Sequence, residues 1–520
     1  MEKIKILWID DEIESLKPHI MFLEEHNYKI TKSTNGMDAI GLVEAKNFDI
    51  IILDEMMPGL DGLATLSQIR YINSTVPIIM VTKSEEENLM DKAISKDIAD
   101  YIIKPINPNQ ILMSIKKILQ ADEIKLNRMG EEYSKFSAWL NRTLFSNPTS
   151  KEWQDIYRKI CEWDIILDGI TDNNLIQTHE FEKRNVNTEF CNYVSDNYYN
   201  WINSDEHPTI STDIVKKYVS PELRNNKLVY FIVLDCLRFD QLLAFKPYLE
   251  KYFNINTDLY YSILPTATPY SRNAIFSGLM PIEIKKKYPQ YWIDSIEDEN
   301  SCNRNEHQLI DLQLRESGIT LYPDSKYIKI FKIEEGDFVL RKVDSYRKER
   351  LVILVYNFLD LLAHHRSKSE ILQEMMPNEK ALRSLTKTWF LHSTFYQVMQ
   401  KISKQHNAVV ILTTDHGSIK VNRATKAIGD KETTTTLRYK TGRNLSSNSR
   451  HSLYLKNPGD FKLPYRNIVQ NYIFAKEDYY FIYPNSFHEY QRQYNGTFQH
   501  GGISMEEMIL PVSIMKPKRR

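Results

Sequence analysis

The chain has 520 residues, too many for one ordinary hydrophobic core, and this length predicts two to four domains. Its formal net charge of −1 at pH 7 excludes the overall basic character of a nucleic-acid coat protein, although it leaves room for a local basic patch. Apolar residues make up 42% of the chain, as in ordinary folded proteins, and no apolar run reaches the ~20 residues that span a bilayer.

The four cysteines are scattered along the chain without a Cys-x-x-Cys pair. This spacing indicates neither a disulfide framework nor a cysteine zinc site. The first residues, MEKIKILWIDDE, lack the charged and then apolar pattern of a secretory signal. We therefore expect a reduced, cytoplasmic protein that does not insert into a membrane.

Residues 1–121 alternate apolar runs with amphipathic segments such as GMDAIGLVEA. The runs that we interpret as buried parallel strands are 3–9, 48–54, 76–82 and 99–105. Strands that alternate with helices in this way predict a doubly wound α/β sheet, whose chemistry lies at the carboxyl ends of the strands.

Polar residues end these predicted strands: Asp10 and Asp11, Asp54, Thr82 and Lys104. Three carboxylates that meet at one edge repel one another, and a hard divalent cation relieves that repulsion. A lysine and a hydroxyl nearby can bind an oxyanion. The alternative interpretation is that the acids only cap loops.

This segment resembles, over its full length, the receiver domain of bacterial response regulators. The resemblance implies that Asp54 accepts a phosphoryl group and that Thr82 and Tyr101 form a switch pair. It also implies that Lys104 contacts the phosphoryl oxygens and precedes a cis proline. The Mg²⁺ site that it implies consists of Asp11 and Asp54, with Asp10 nearby and the carbonyl of Met56.

Residues 122–205 lose the strand pattern and indicate a helical bundle that links two larger domains. Thr149 and Glu152 have the spacing of a capping box. The apolar residues that follow recur at helical spacing: Trp153, Ile156, Ile160 and Trp163. A second helix is predicted at 178–201, and 141–150 is predicted as a loop. A DNA-reading helix-turn-helix is the alternative, but no compact basic helix supports it.

Residues 206–520 return to an α/β pattern and predict a larger domain. Three long apolar runs, at 227–240, 350–365 and 408–417, are typical of central strands covered on both faces. The acids and imidazoles that follow the apolar core of each run, or stand in a glycine-flanked loop, are Asp235, Asp360, His364, Asp415, His416 and His500. This mixture suits zinc or manganese better than calcium, and six such ligands can hold two ions ~3.5–4 Å apart.

The stretch LPTATPYSRNAIFSG offers three hydroxyls, Thr266, Thr268 and Ser271, in a proline-bounded turn that leads into a helix. A hydroxyl becomes a useful nucleophile when a metal activates it, and a helix N-terminus favours an anion such as phosphate. Arg272 and Asn273 can donate hydrogen bonds to phosphate oxygens. The alternative is that Asp415 and His416 form only a satisfied turn.

Residues 206–520 resemble the PglZ branch of the alkaline phosphatase superfamily, on the Pro-Thr-x-Thr stretch and on the Asp and His motifs in the expected order. The resemblance implies one zinc ion held by Asp235, Thr268, Asp415 and His416 and a second held by Asp360, His364 and His500. It implies that Thr268 is the nucleophile and forms a phosphothreonine that water hydrolyses. The residues after Thr268 depart from the proline and asparagine common in diester-cleaving relatives.

Residues 433–445 are basic and rich in Thr and Gly. They are interpreted either as a lid that touches an anionic substrate through Lys440 and Arg443, or as a solvated loop. His451 lies close in sequence, and a single histidine is more often structural.

Receiver, bundle and PglZ-like domain together resemble the PorX-type response regulators of the type IX secretion system. The resemblance implies a sensor histidine kinase, an alternative sigma factor and a secretion motor component as partners, and phosphodiesterase activity on oligonucleotides or nucleotides. We also expect a phosphorylation-dependent homodimer. The residues alone indicate a phospho-switch attached to a two-metal phosphoryl-transfer site.

Two other classes of function stay open at this point. One is a signalling adaptor whose metal-stabilised domain docks partners without catalysis. The other is a DNA-binding regulator, which would bind a specific duplex in a salt-dependent way. We do not expect sequence-specific DNA binding.

Overall fold

The structure is a computed structural model that describes residues 3–83, 98–119, 121–170, 172–293, 303–366, 369–430, 433–466, 469–485 and 487–518. The chain forms two compact units, Met1–Ser137 and Ala138–Arg520. The second unit includes most of the helical segment that the sequence predicts as a separate linker. The predicted domain boundaries, after residues 121 and 205, stay a prediction.

A five-stranded parallel sheet forms the centre of the N-terminal unit. Its strands are β1 (Ile4–Ile9), β2 (Tyr28–Ser33), β3 (Ile50–Asp54), β4 (Ile78–Thr82) and β5 (Asp100–Ile103). They lie in the order β2-β1-β3-β4-β5, so the chain winds first to one side of β1 and then to the other. This order confirms the predicted doubly wound sheet.

Helices cover this sheet, and apolar side chains fill two cores. The helices are α1 (Lys17–Glu25), α2 (Gly36–Ala45), α3 (Gly62–Ile72) and α4 (Pro108–Leu119). Neighbouring residues of one strand enter different cores: Trp8 and Ile52 pack in one, and Leu7 and Ile51 in the other. This alternation explains why the strands are apolar throughout, since both faces of each strand are buried.

Three long helices follow: α5 (Ala121–Phe145), α6 (Ser150–Leu167) and α7 (Asn173–Asn203). The predicted capping box is confirmed, because Thr149 Oγ1 accepts the N–H of Glu152 at 3.3 Å and the Glu152 carboxylate accepts the N–H of Thr149 at 2.8 Å. The predicted loop at 141–150 is wrong in its first half, since α5 continues to Phe145. Helix α7 is longer than predicted because the Asp172 side chain caps it, accepting the N–H of Asn174.

A six-stranded mixed sheet forms the centre of the second unit. Its strands are β6 (Leu228–Leu234), β7 (Phe253–Tyr261), β8 (Lys326–Ile330), β9 (Leu351–Tyr356), β10 (Ala408–Thr413) and β19 (Ile509–Pro517). The order is β7-β19-β10-β6-β9-β8, with β10, β6, β9 and β8 parallel and β19 and β7 antiparallel. The three apolar runs singled out from the sequence are β6, β9 and β10, and they lie in the interior of the sheet, as predicted.

Helices and short turns surround this sheet. The helices are α8 (Ser220–Arg224), α9 (Phe239–Leu249), α10 (Thr268–Ser277), α11 (Pro281–Lys287), α12 (Glu306–Glu316), α13 (Ile333–Lys342), α14 (Phe358–Arg366), α15 (Glu370–Met375), α16 (Glu379–His392), α17 (Thr394–Ile402), α18 (Phe487–Tyr494) and α19 (Met505–Met508). Across the described parts of the chain, no helix combines the length and apolar character that a bilayer crossing needs.

Three small sheets lie beyond the large one. They are formed by β11 (Ile419–Lys420) with β18 (Phe498–Gln499); by β12 (Arg423–Ile428), β14 (Ser446–Ser447) and β17 (Tyr479–Ile482); and by β13 (Tyr439–Arg443), β15 (Ser452–Leu455) and β16 (Gln470–Ala475). Strand β18 ends at Gln499, and His500 follows it near the carboxyl ends of the central strands.

Candidate functional site

The N-terminal unit gathers its predicted site residues at the carboxyl edge of the sheet. Lys104 Nζ donates to Asp54 Oδ2 at 2.9 Å and to Asp10 Oδ2 at 3.0 Å. Carboxylate oxygens of Asp10, Asp11 and Asp54 lie within 4.8 Å of one another. Three carboxylates are the oxygen-rich donor set that a hard cation such as Mg²⁺ prefers, so the residues present fit that ion.

Burial and the neighbouring lysine act on the pKa of Asp54 in opposite directions. Burial raises the pKa of Asp54, and the hydrogen bond from Lys104 opposes that shift. Thr82 ends the adjacent strand, and its carbonyl accepts the N–H of Lys104 at 2.8 Å, which fixes the lysine beside the acids. The peptide before Pro105 is cis, as predicted. Tyr101 packs against the core that contains Leu53, and Met56 lies in the loop after β3.

The second unit brings its predicted site residues together by the same topological rule. Asp235 directly follows β6, and Asp415 and His416 follow β10. Because β10, β6 and β9 are adjacent and parallel, the residues after them meet at one edge. Asp360 and His364 differ from the expected strand-end position: they lie one turn apart on helix α14, which begins just after β9.

His416 stands at the centre of this cluster. Its Nε2 atom lies 2.9 Å from Thr268 Oγ1, 3.6 Å from Asp235 Oδ1 and 3.8 Å from Asp415 Oδ2. Its ring stacks on that of His500 with 4.1 Å between centroids. The nucleophile predicted from the resemblance therefore lies beside predicted metal ligands.

The remaining ligands continue the cluster on the other side. Asp360 Oδ1 lies 3.3 Å from His364 Nε2 and 3.6 Å from His500 Nε2. The rings of His364 and His500 are nearly perpendicular, with 3.1 Å between their Nε2 atoms. Asp235, Asp415 and His416 are buried, whereas the His364 side chain is 41% exposed, so the cluster opens to solvent at His364.

The donor chemistry of this cluster fits metal ions. One carboxylate oxygen each of Asp235 and Asp415 is buried and has no hydrogen-bond partner among the described residues. His416 Nδ1 lies 3.1 Å from the carbonyl of Gly417, and His500 Nδ1 lies 3.2 Å from that of Thr266. Only a protonated Nδ1 can donate to a carbonyl, so each neutral ring turns a lone pair on Nε2 toward the acids. This is how proteins orient histidines that ligate metals.

Burial, together with neighbouring charges, shifts the pKa values of the acids. Burial raises the pKa of Asp235 to about 7, and the guanidinium of Arg272 opposes that rise. Burial likewise raises the pKa of Asp415. Burial also acts on Asp360, but His364 and His500 outweigh it and hold the pKa of Asp360 below its usual range. Burial lowers the pKa of His416, which favours the neutral imidazole that a metal needs.

Two glycines permit the close approaches that this geometry requires. A Cβ atom on Gly417 would lie 1.9 Å from the carbonyl oxygen of Glu506, so only glycine fits after His416. Gly501 has φ +117, a left-handed conformation that favours glycine. The pairs His416-Gly417 and His500-Gly501 are therefore explained by backbone geometry.

The structure separates the roles of the three hydroxyls in the turn before α10. Thr266 Oγ1 donates to the carbonyl of Gly502 at 2.9 Å and accepts the N–H of Gly501 at 3.0 Å. Ser271 Oγ donates to the carbonyl of Ala267 at 2.9 Å. Of the three, Thr268 is the one that faces the cluster, at the first position of α10.

Arg272 and Asn273 are buried and face protein groups. Arg272 Nε donates to Asp415 Oδ2 at 2.9 Å, and its guanidinium also pairs with Asp235. Asn273 donates to the carbonyl of Pro269 at 2.9 Å. Arg272 thus neutralises metal-ligand candidates from behind, and the contact of either residue with phosphate stays a prediction.

Glu306 is a buried acid that the sequence reasoning missed. It lies 3.7 Å from Arg272 Nη1 and 3.4 Å from Lys329 Nζ, and it accepts a hydrogen bond from the Tyr327 hydroxyl. These contacts extend the charge network behind Asp235 by one layer. The surrounding sequence NRNEHQ is polar on both sides of Glu306 and gives no signal that this acid is buried.

The predicted lid residues occupy other positions. Lys440 is 1% exposed within β13, and its Nζ donates to the carbonyl of Thr434 at 2.9 Å. An ammonium in this position does not reach out to a substrate, so the lid interpretation is wrong for Lys440. Arg443 ends the strand and is exposed. His451 Nδ1 lies 3.0 Å from Thr425 Oγ1, and its ring stacks on Tyr479.

Comparison with known proteins identifies the segments. The family model described as the BREX system PglZ alkaline phosphatase-like domain matches residues 214–515, more than half of the chain. The chain belongs to this PglZ family. The response regulator receiver domain matches residues 6–116, and the PorX response regulator linker domain matches residues 123–202. The chain is thus a two-component response regulator of the PorX type, with a receiver, a linker and a PglZ domain.

Curated relatives match through the receiver. The transcriptional regulatory protein ResD of Bacillus subtilis is 40% identical over 116 residues, which are 22% of this chain and 48% of ResD. The transcriptional regulatory protein SrrA of Staphylococcus aureus is 30% identical over 131 residues, 25% of this chain and 54% of SrrA. The chain therefore spans about half the length of the curated relatives that it matches.

Solved structures match the same segment. A two-component response regulator from Clostridium difficile is 30% identical and covers 23% of this chain and 97% of its own, with a TM-score of 0.22. The chemotaxis protein CheY4 of Vibrio cholerae is 24% identical and covers 22% of this chain and 99% of its own, also with a TM-score of 0.22.

Proposed function

We propose that this chain is a phosphorylation-regulated, zinc-dependent phosphodiesterase that acts on oligonucleotides or cyclic nucleotides. The observation that carries the proposal is the position of Thr268, whose Oγ1 lies 2.9 Å from Nε2 of His416 within a buried cluster of aspartates and histidines. A hydroxyl among such ligands is suited to phosphoryl transfer. The PglZ family supports the phosphatase superfamily as the class of hydrolase.

The donor set suits two zinc ions. Asp235, Asp415 and His416 would hold one ion beside Thr268, and Asp360, His364 and His500 would hold the other. When bound, the two ions supply positive charge that activates the hydroxyl and stabilises the phosphate oxygens. His416 lies close to the ligands of both proposed ions, whereas the resemblance assigns it to the first ion alone.

The protein's own groups fix the reacting geometry. Thr268 begins helix α10, whose N-terminus favours the anionic phosphate. Attack of Thr268 Oγ1 on phosphorus forms a threonine phosphodiester that keeps one ester group, and the other ester group leaves as an alcohol that takes up the proton lost by the hydroxyl. Water then breaks the bond between Oγ1 and phosphorus, which restores the Thr268 hydroxyl and leaves a phosphate monoester. Arg272 favours the ionised forms of Asp235 and Asp415 during these steps, because it is buried against both.

The receiver supplies the regulation in this proposal. A sensor histidine kinase phosphorylates Asp54, which replaces the carboxylate beside Lys104 and Thr82 with an acyl phosphate that carries about −1.5 to −2 charges. Thr82 and Tyr101 then rearrange, and the altered receiver surface forms a homodimer. We place the protein in the cytoplasm, where an alternative sigma factor and a type IX secretion motor component are its partners. The PorX-type linker match supports these partners.

The decisive experiment assays the zinc-loaded protein against bis-(p-nitrophenyl) phosphate, short RNAs and cyclic dinucleotides, with and without an acyl-phosphate mimic. Thr268→Val should lose hydrolysis by at least about 100-fold, while Thr268→Ser, which keeps a hydroxyl, should retain a measurable part. Metal analysis should find two zinc ions per chain and a loss of both in the Asp360→Ala, Asp415→Ala double variant. Full activity of Thr268→Val would exclude this nucleophile.

The adaptor hypothesis gives the opposite result in the same assay. If the PglZ domain only docks partners, the zinc-loaded protein hydrolyses none of these substrates, and Thr268→Val signals normally in cells. Hydrolysis by the wild-type chain that depends on Thr268 would rule this alternative out.

A further inference from the structure

Helix α7 of the linker contacts the segment that leads to Thr268. The hydroxyl of Tyr198 accepts the N–H of Leu264 at 2.8 Å. Tyr198 is 1% exposed, and Leu264 lies four residues before Thr268. A buried backbone N–H that loses its acceptor stays desolvated without a partner, which is unfavourable, so this hydrogen bond helps to set where the segment lies.

The same helix contacts the segment that follows His500. The Asn187 carboxamide accepts the N–H of Met505 at 2.9 Å and donates to Glu506 Oε2 at 2.7 Å. One turn later, Cys191 Sγ donates to the carbonyl of Ile503 at 3.1 Å. Tyr198 follows Asn187 by three helical turns on this same face. One face of one helix therefore contacts both segments.

Thr266 joins the two segments to each other. Its hydroxyl donates to the Gly502 carbonyl and accepts the Gly501 N–H, and its carbonyl lies 3.2 Å from Nδ1 of His500. Thr268 and His500 thus belong to one hydrogen-bonded assembly, which we call the paired loops (residues 264–268 and 500–506). Helix α7 holds this assembly at Leu264 and at Met505.

We propose that Tyr198 and Asn187 are positioning residues for the site: they fix the paired loops so that Thr268 and His500 meet in one cluster. This inference rests on the proposed phosphodiesterase function. The contacts favour positioning over general packing, because the hydroxyl of Tyr198 and the Oδ1 of Asn187 accept backbone N–H groups of the paired loops themselves. Catalytic groups must be held to within about 0.5 Å, and a small relaxation of the loops is costly to the reaction.

Tyr198→Phe tests the first contact, because it removes only a hydroxyl. Tyr199→Phe is the matched control, since Tyr199 is the next residue of the helix and is exposed. We expect amide hydrogen exchange at Leu264 to rise about tenfold, and kcat on bis-(p-nitrophenyl) phosphate to fall about tenfold with KM changed less than about twofold. In Tyr199→Phe, the unfolding midpoint, the exchange rate at Leu264 and kcat should all stay close to the wild-type values.

Asn187→Ala tests the second contact, with the exposed Asn192→Ala on the same helix as control. We expect faster exchange at Met505 and weaker zinc binding by isothermal titration, since His500 lies on the loosened segment. Tyr198→Phe, being nearly isosteric, keeps the test decisive even if Asn187→Ala unfolds.

The outcomes separate this inference from the proposed function. An active wild-type enzyme whose Tyr198→Phe variant keeps full kcat overturns the positioning role, whether or not Leu264 exchanges faster. A wild-type chain with no hydrolytic activity overturns the proposed function instead. In that case the exchange rates and zinc affinities of the variants still decide whether α7 fixes the paired loops.

Discussion

At the scale of single residues, the second site depends on buried charges that compensate one another. Asp235, Asp415 and Glu306 are all buried, and Arg272 faces each of them. A buried carboxylate without a partner would take up a proton or destabilise the fold. Arg272 therefore protects the ionised state of the acids, and a bound cation shares that task.

Replacing Arg272 should show how far a bound cation can compensate the buried acids in place of the arginine. We expect Arg272→Met to destabilise the zinc-free protein by about 3–5 kcal/mol, because it leaves two buried acids without their counter-ion. Zinc should restore part of the loss, since it supplies positive charge to the same acids. Urea unfolding with and without zinc measures both effects, and the exposed Arg347→Met is the control. Equal stability of variant and wild type without zinc would contradict this account.

The buried side chain of Lys440 should make the free energy of unfolding depend on pH. Burial lowers the pKa of Lys440 from 10.5 to about 7 in the folded protein. Between pH 7 and 10.5 the unfolded chain binds more protons at this lysine than the folded chain does. The free-energy cost of burying the charged lysine is therefore full below pH 7 and fades as the pH rises. Lys440→Met should therefore stabilise the protein by about 3 kcal/mol at pH 6, after the loss of one hydrogen bond, and by little at pH 10. Urea unfolding at both pH values checks this, and a gain that is independent of pH would refute it.

At the scale of helices and strands, local signals decided what the sequence could predict. The runs that became β6, β9 and β10 were recognisable because strands buried on both faces are apolar throughout. The capping box at Thr149 was recognisable because its two side chains are three residues apart. The end of α5 at Phe145 was not recognisable from the sequence, because Asn141 and Arg142 are as compatible with a solvent-exposed helix as with a loop.

Long-range contacts set the part of the site that the sequence did not reveal. Asp235, Asp415 and His416 follow predicted strands, so topology brought them together. Glu306 has no such signal, because its burial depends on Arg272 and Lys329 from other elements. The contact between Tyr198 and Leu264 spans 66 residues and depends on how α7 packs, which no local pattern encodes.

Helix α6 offers a test at this scale. Thr149→Ala should destabilise the second unit by about 1 kcal/mol, because it removes the acceptor for the Glu152 N–H at the start of the helix. Thr188→Ala is the control, since Thr188 lies inside α7 and its hydroxyl donates to the carbonyl of Arg184 in the same helix. Alanine there should be neutral or slightly stabilising. The midpoints of urea unfolding report both changes, and equal midpoints would show that the cap contributes nothing.

At the scale of the whole molecule, the described residues of the receiver and of the PglZ domain each form a candidate metal site, and the two sites differ in chemistry. The receiver cluster has only oxygen donors, which suit Mg²⁺, whereas the second cluster mixes imidazole with carboxylate, which suits zinc. The two donor sets prefer different ions, so metal can be added to one site or taken from it without a change at the other site. A chelator that takes up zinc should therefore abolish hydrolysis and leave Asp54 able to accept a phosphoryl group.

Asp54→Asn should separate the two activities within one chain. The amide cannot accept a phosphoryl group, so acetyl phosphate should no longer label the protein, and the dimer that we propose for the phosphorylated chain should be absent in light scattering. Zinc content and basal hydrolysis should equal those of wild type, because Asp54 lies in the other compact unit. The exposed Glu44→Gln is the matched control and should behave as wild type in every assay. Loss of zinc in Asp54→Asn would mean that the receiver supports the metal cluster structurally. A phosphorylated wild type whose hydrolysis and dimerisation do not change would leave the switch without an output.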